Sequence, residues 1–261
     1  MDHPLLQSDA LKGKCGLIVG IANDSSIAWG VARACKALGA ELALTYLNDK
    51  ARPHVQPLAE QLDARLFLPL DVRDDAQMHA VFDAIRAQWG RLDFLLHSIA
   101  FAPKDDLQCH VLDTSAQGFS TAMDISCHSF IRMARLAEPL MKDGGAMAAM
   151  SYYGAQKVVP NYNIMGPVKA ALEASVRYLA YELGPKKIRV HAVSPGPLST
   201  RAASGIKDFD QLLSDAATRA PAHELVDIDD VGVATAFLMS DFARLITGGT
   251  IYIDGGYNIV A

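Results

Sequence analysis

Cysteine is scarce and scattered: 261 residues hold only Cys15, Cys35, Cys109 and Cys127, with no C-x-x-C pair. That excludes a disulfide framework and a thiolate metal centre, and no metal site is expected; the four read as reduced thiols in mostly apolar surroundings. Excess positive charge is missing as well. Against 29 acidic residues stand 24 Lys and Arg, for a formal charge of -5, so there is no basic footprint for nucleic acid. No apolar run is long enough to span a membrane, and residues 1–12 lack a secretory apolar core, so a cytoplasmic location is expected. No linker rich in Pro, Gly or Ser and no repeat divides the chain. One domain over residues 1–261 is the economical reading, and 51% hydrophobic content is ample for its core.

What is present is an alternation of apolar strands and helical stretches. Lys14 to Ala22 reads as a strand ending at Gly20, and Ser25 to Ala40 as a helix with Ser25 or Ser26 as N-cap and Gly39 as its stop. Glu41–Tyr46 supplies the next strand of a βαβ unit. Apolar segments at 64–72, 93–100, 146–151, 188–194 and 250–254 continue the pattern, with a helix at Gln77 to Ile85 after the third. Near-continuous apolar strands between helices predict a Rossmann-type, doubly wound parallel sheet with helices on both faces. Ligands of such sheets sit at the strands' C-terminal ends, where Gly20, Asp71, Ser98, Ser151 and Ser194 fall. Strand, glycine turn and helix N-terminus at residues 20–27 form an anion site, although a full G-x-G-x-x-G is absent: Gly20 and Gly30 remain, with Ser26 where a third glycine belongs.

Tyr162 and Lys169 are seven residues apart, a spacing that predicts both side chains on one helix face about two turns apart. A phenol near an ammonium suits protonation of, or hydrogen bonding to, an oxygen gaining charge, because the cation favours the phenolate. A half-buried Tyr and a solvated Lys are the plainer alternative. Tyr153 and Lys157 form a competing Tyr-x3-Lys. That pair follows directly on a strand, and Gly154, Pro160 and Asn161 disfavour a continuous helix through it, whereas Lys169 opens an uninterrupted helical run. Pro167 is awkward for a helix running from Tyr162 unless it falls in a first turn.

Taken together, Gly20-x5-Ser26-Ile27-Ala28-x-Gly30, His97-Ser98-Ile99-Ala100-Phe101-Ala102, Tyr152, Tyr162-x6-Lys169, Ser194-Pro195-Gly196-Pro197 and Ala202-Ala203-Ser204-Gly205-Ile206 resemble bacterial enoyl-acyl-carrier-protein reductases of the short-chain dehydrogenase/reductase superfamily. The resemblance runs from about Leu11 to Asn258. It implies reduction of the trans-2 double bond of an enoyl thioester, with Tyr162 hydrogen-bonding the thioester carbonyl oxygen, Lys169 holding the nicotinamide ribose and Tyr152 as a second active-site tyrosine. Ala149 stands where most of the superfamily has a serine, which fits an enoyl reductase. For the cofactor it implies Gly20, Ser26 and Ile27 at the pyrophosphate, and Asp71 and Val72 at adenine. Ser98, Ile99 and Ala100 would run along the ribose and nicotinamide halves, with Leu198, Ser199 and Thr200 at the carboxamide and diphosphate. Asp71 has an alternative role as a helix N-cap.

The second strand ends at Tyr46 and Leu47 without an acidic residue to grip a ribose 2′-hydroxyl, and Leu47 replaces a glutamine frequent in the family. Lys50 and Arg52 are nearby cations; NADH is favoured over NADPH by resemblance. Small residues followed by Ile206 and Phe209 suggest a substrate lid at about 199–215, those two lining an acyl slot together with Ala102, Tyr152 and Tyr162. An acidic acyl carrier protein, steered by Arg201 and Lys207, is the expected partner, and the resemblance implies a homotetramer. A short-chain carbonyl reductase on the same scaffold, and a non-catalytic dinucleotide-binding regulator, are the alternatives.

Overall fold

The computed structural model describes residues 8–198, 200 and 209–260. Its strands are β1 (Cys15–Val19), β2 (Glu41–Tyr46), β3 (Leu66–Pro69), β4 (Phe94–His97), β5 (Gly145–Met150), β6 (Ile188–Pro195) and β7 (Thr250–Ile253). They form one sheet in the order β3-β2-β1-β4-β5-β6-β7, every neighbouring pair parallel. The expected doubly wound sheet is present. Its chain reverses direction of growth at β1, which lies between β2 and β4, and that switch point opens a crevice at the C-terminal strand ends.

The helices are α1 (Ile27–Ala37), α2 (Arg52–Gln61), α3 (Asp75–Trp89), α4 (Lys104–Gln108), α5 (Ala116–Met123), α6 (Ser129–Ala137), α7 (Met165–Leu183), α8 (Phe209–Arg219) and α9 (Ile228–Met239). Successive strand residues point to opposite faces, so each strand feeds two cores. Leu17, Leu95, Met147 and Val190 pack under α3, α6 and α7; Ile18, Leu42, Leu96 and Ala148 pack under α1 and α9. Each large aliphatic side chain buried here contributes about 1.5–3 kcal/mol, which pins the register, since a one-residue slip would exchange the two sets.

Three local expectations change. Gly30 belongs to helix packing rather than the anion turn: a Cβ there would lie 1.9 Å from the Ile228 carbonyl oxygen, so only glycine lets α1 approach α9 this closely. Asp71 is not the N-cap of α3; Asp74 is, accepting from the Ala76 and Gln77 N–H groups. Tyr162 is not helical. Asn161 and Asn163 flank it with φ of 63° and 44°, a conformation Asn tolerates but an α-helix excludes, so α7 begins only at Met165. Pro167 is then the third residue of α7, in the first turn, where its missing N–H costs nothing. Of the expected lid, Ser199 and residues 201–208, with Ile206, Arg201 and Lys207 among them, lie outside the described residues; Phe209 opens α8.

Candidate active site

Gly20 follows β1 with φ of 112°, and a Cβ on it would meet the Ser98 carbonyl oxygen at 2.0 Å. A side chain would therefore strain the turn and push apart the ends of β1 and β4. Ser26 is the N-cap residue of α1, yet its hydroxyl does not cap. It accepts from the Ala22 and Asn23 N–H groups at 3.0 and 3.1 Å and donates to Asn23 Oδ1 at 3.1 Å. The serine curls the turn and leaves the first N–H groups of α1 without a side-chain cap, which is what an anion site needs.

Beside this helix end lies a cavity of about 190 Å³, mostly apolar. It gathers Ile27, the loop 98–102 after β4, Met150, Ser151 and Tyr152 after β5, Tyr162, Lys169, residues 195–198 and 200 after β6, and Phe209. Eleven of the positions expected to bind or react thus converge: Ile27, Ser98, Ile99, Ala100, Ala102, Tyr152, Tyr162, Lys169, Leu198, Thr200 and Phe209. Gly20, Ser26, Leu47, Asp71 and Val72 do not line it. They belong to the turn after β1 and to the ends of β2 and β3. Leu47 is exposed, and the Asp71 carboxylate is held by Arg73 through Nε at 3.0 Å and the terminal nitrogen at 2.5 Å. That guanidinium keeps the Asp71 carboxyl below its ordinary range.

The loop 98–102 is clamped from behind. Between α5 and α6 the helix widens into a π turn at Asp124–His128, and Ser126 within it accepts from the Phe101 N–H at 2.9 Å and donates to the Phe101 carbonyl at 3.0 Å. Asn163 donates to the Leu107 carbonyl at 2.8 Å, tying the Tyr162 turn to α4.

Lys169 is buried and donates from Nζ to the Met150 carbonyl at 2.6 Å. Burial brings its ammonium down from 10.5 to about 8, against the pull of Cys127 and Glu173 in the other direction. Tyr162, 8% exposed, moves opposite to the sequence expectation: burial, then Glu173, push its phenol above the ordinary value, so it is a neutral donor. The Tyr152 ring meets the Tyr162 ring edge-on at 5.0 Å, and its buried hydroxyl has no hydrogen-bond partner among the described residues. Burial raises that phenol as well. An orphaned donor beside a neutral phenol in an apolar cavity is prepared for an oxygen of a ligand.

The competing pair is elsewhere. Tyr153 stacks on Tyr257 at 5.3 Å and hydrogen-bonds it, Lys157 is exposed, and neither lines the cavity. Sequence reasoning missed Phe101, Leu107, Met150 and Met165 as lining residues, and Glu173 beneath them. Phe101 sat within a quoted motif; for Glu173 the only signal was its place one turn after Lys169. Cys15, Cys35 and Cys127 are buried and Cys109 half-buried, all free. Among the described residues no group of three or more His, Cys, Asp or Glu could hold a metal ion, and no helix is long and apolar enough to cross a membrane.

An apolar cavity beside an uncapped helix end, in a sheet of this strand order, is the arrangement of a dinucleotide-dependent oxidoreductase. Comparison with known proteins narrows the class. A family model described as "Enoyl-(Acyl carrier protein) reductase" matches residues 20–258, and the chain belongs to that family. The NADH-type enoyl-[acyl-carrier-protein] reductase 1 of Rhizobium meliloti is 47% identical over 253 residues, 97% of this chain and 93% of the relative. Its counterpart in Rickettsia typhi is 46% identical over 96% of each chain. Among solved structures, the enoyl-(acyl-carrier-protein) reductase of Anaplasma phagocytophilum in complex with NAD superposes with a TM-score of 0.94 at 48% identity, covering 97% of each chain. The Bacillus cereus enzyme with NADP+ and indole naphthyridinone gives 0.94 at 42%, covering 97% of this chain and 99% of that one.

Proposed function

We propose that the chain reduces the trans-2 double bond of enoyl thioesters carried on acyl carrier protein, with NADH as hydride source. The observation that carries this reading is the convergence of Tyr162, Tyr152 and Lys169 on one apolar cavity, while Tyr153 and Lys157 stay out of it. When bound, the nicotinamide supplies hydride to the β-carbon of the enoyl group. The turn at Gly20 and Ser26 and the start of α1, whose N–H groups carry no side-chain cap, would hold its pyrophosphate, Asp71 and Val72 the adenine, Ser98, Ile99 and Ala100 the ribose and nicotinamide halves, and Leu198, Ser199 and Thr200 the carboxamide and diphosphate.

The neutral Tyr162 phenol donates to the thioester carbonyl oxygen as negative charge collects there. Removing a single such donor typically costs about 100- to 1,000-fold in turnover. Tyr152 supplies a second buried hydroxyl to the same region. Lys169 holds ribose hydroxyls and provides positive potential, and its lowered ammonium is still mostly charged at pH 7. The apolar walls at Phe101, Leu107, Met165 and Phe209 suit an acyl chain and strengthen these polar contacts by excluding water.

Several finer points belong to the same reading. NADH is preferred because Leu47 offers no charge to a 2′-phosphate and because relatives carry NADH in their names. In this reading a single catalytic domain carries a substrate lid at about 199–215, and an acidic carrier protein delivers the chain. The exposed Tyr178 and Tyr181 on α7, with Phe242 and Leu245 after α9, suit burial in a homotetramer. The enzyme works in the cytoplasm. Oxidation of NADH and of NADPH, followed spectrophotometrically with a crotonyl and a longer trans-2-enoyl thioester, tests the proposal. Reduction of 3-oxoacyl but not enoyl thioesters would replace it with the carbonyl-reductase reading.

A further inference from the structure

Beneath the cavity lies a carboxylate that the mechanism above does not use. Glu173 is 3% exposed, one helical turn beyond Lys169 on α7. Its Oε1 accepts from the Ser151 hydroxyl at 2.7 Å and its Oε2 from the Gln156 amide at 3.0 Å. Ser151 lines the cavity and precedes Tyr152; Gln156 ends the short turn that follows. The helix therefore grips the end of β5 at successive residues, Met150 through Lys169 and Ser151 through Glu173. Both donors to Glu173 are neutral. A glutamine would accept from Ser151 and, once the Gln156 amide turned, donate to its oxygen, without the desolvation penalty of a buried carboxylate, so the hydrogen bonds alone do not account for the charge.

We propose that Glu173 is a positioning residue for the reduction, fastening the Ser151–Tyr152 end of β5 to α7 and supplying the buried negative charge against which the Lys169 ammonium is held. The inference rests on the role proposed for Lys169. Among the described residues, the groups whose charge bears on Lys169 are His97 from β4, Cys127 from the π turn and Glu173 from its own helix, and Tyr162 lines the same cavity. His97 is buried, bonded to Ser129, and pushed down to about 3, hence neutral. Burial pushes the Cys127 thiol up, so it is neutral at pH 7 although it opposes the fall of Lys169 at higher pH. Glu173 itself faces Tyr162, Lys169 and, from β7, Tyr252. Its charge raises Lys169 and also raises Tyr162, which keeps the ammonium charged and the phenol protonated over the same pH range.

The test is the pH profile of kcat/KM for NADH, read from roughly pH 6 to pH 10, where the free-enzyme groups report. Glu173→Gln keeps an acceptor for Ser151, and the Gln156 amide turns to meet it, so the fold survives. A carboxylate one turn away at an effective dielectric near 20 is worth about one pH unit or more. The alkaline limb is expected to move that far toward acid, with about a fivefold loss at pH 8 and less than a twofold loss near pH 6. Gln156→Ala removes half the fastening but keeps the charge, and its limb should stay in place. A limb shifted equally by Gln156→Ala, or shifted by Cys127→Ser and not by Glu173→Gln, overturns the proposal. Lys169→Ala that still turns over normally would overturn instead the role of Lys169 on which it rests.

Discussion

Replacing Lys169 with Met should destroy activity and make the cofactor-free protein more stable. The lysine occupies an apolar site for chemistry, and its ammonium is unfavourable there. Burial brings it from 10.5 to about 8, which at about 1.4 kcal/mol per pH unit is about 3 kcal/mol against the charged form. Methionine has a similar shape and no charge to desolvate, but it orphans the Met150 carbonyl, costing about 1–2 kcal/mol. The net gain is about 1–2 kcal/mol, or a thermal midpoint higher by roughly 2–6 °C. The sign with pH follows from the direction of the shift. The folded state releases the proton near pH 8 and the unfolded state only near 10.5. Native protein therefore gains stability as pH rises between those values, and the penalty is complete below them. Lys169→Met should thus exceed the parent most below pH 8, draw level with it between about pH 9 and pH 10, and fall below it toward pH 10.5, where only the orphaned Met150 carbonyl still counts. Thermal unfolding of the cofactor-free proteins by circular dichroism across that range checks this, and added NADH should raise only the parent. A variant less stable at every pH, or a gap that stays constant, would refute the reasoning.

Three further outcomes are expected. Tyr162→Phe should lower kcat for enoyl reduction by about 100-fold or more with little change in thermal midpoint, while Lys157→Ala stays within about twofold of the parent; the reverse pattern in steady-state assays would restore the Tyr-x3-Lys pair as the reacting one. Gly30→Ala should destabilise the fold by at least about 2 kcal/mol in chemical denaturation, because α1 must move off α9; unchanged stability would mean that this contact is slack. Light scattering at micromolar concentration should give a mass of four chains, and a mass of one would refute the assembly.

Much of the architecture was legible because strand and helix burial leave periodic marks. β2 has the bounds read from its apolar run, Glu41–Tyr46, and the switch-point crevice follows from alternation alone. Ser98 was legible from its place at the C-terminal end of an apolar strand, which opens onto the crevice in a doubly wound sheet, whereas Ile99 and Ala100 came from the family resemblance and line the cavity because β4 stops at His97, short of the expected strand end. The competing tyrosine was rejected for a local reason, Gly154, Pro160 and Asn161, and the structure has only a short turn at Tyr153–Ala155 rather than a helix through Lys157, with neither Tyr153 nor Lys157 lining the cavity.

What failed was the translation of spacing into shared helix faces. Tyr162 and Lys169 do meet at one cavity, but across a turn, because Asn161 and Asn163 adopt positive φ and hold the phenol outside α7. Local propensity also misassigned Gly30, whose place is set by Ile228 far along the chain, and the alternative reading of Asp71 as an N-cap fails because Asp74 caps α3 while Arg73 holds the Asp71 carboxylate. The direction of the Tyr162 shift was misread for the same reason: charge proximity was inferred from sequence, while burial and Glu173, both products of packing, dominate. The sequence by itself determined the parallel, doubly wound class, the glycine turn before the first helix and the chemical types at the site, since these depend on nearest neighbours and apolar period. Only the tertiary structure decided which buried polar groups meet, because the hydrogen bonds of Met150 to Lys169 and Ser151 to Glu173 arise where β5 and α7 pack, about twenty residues apart in the chain.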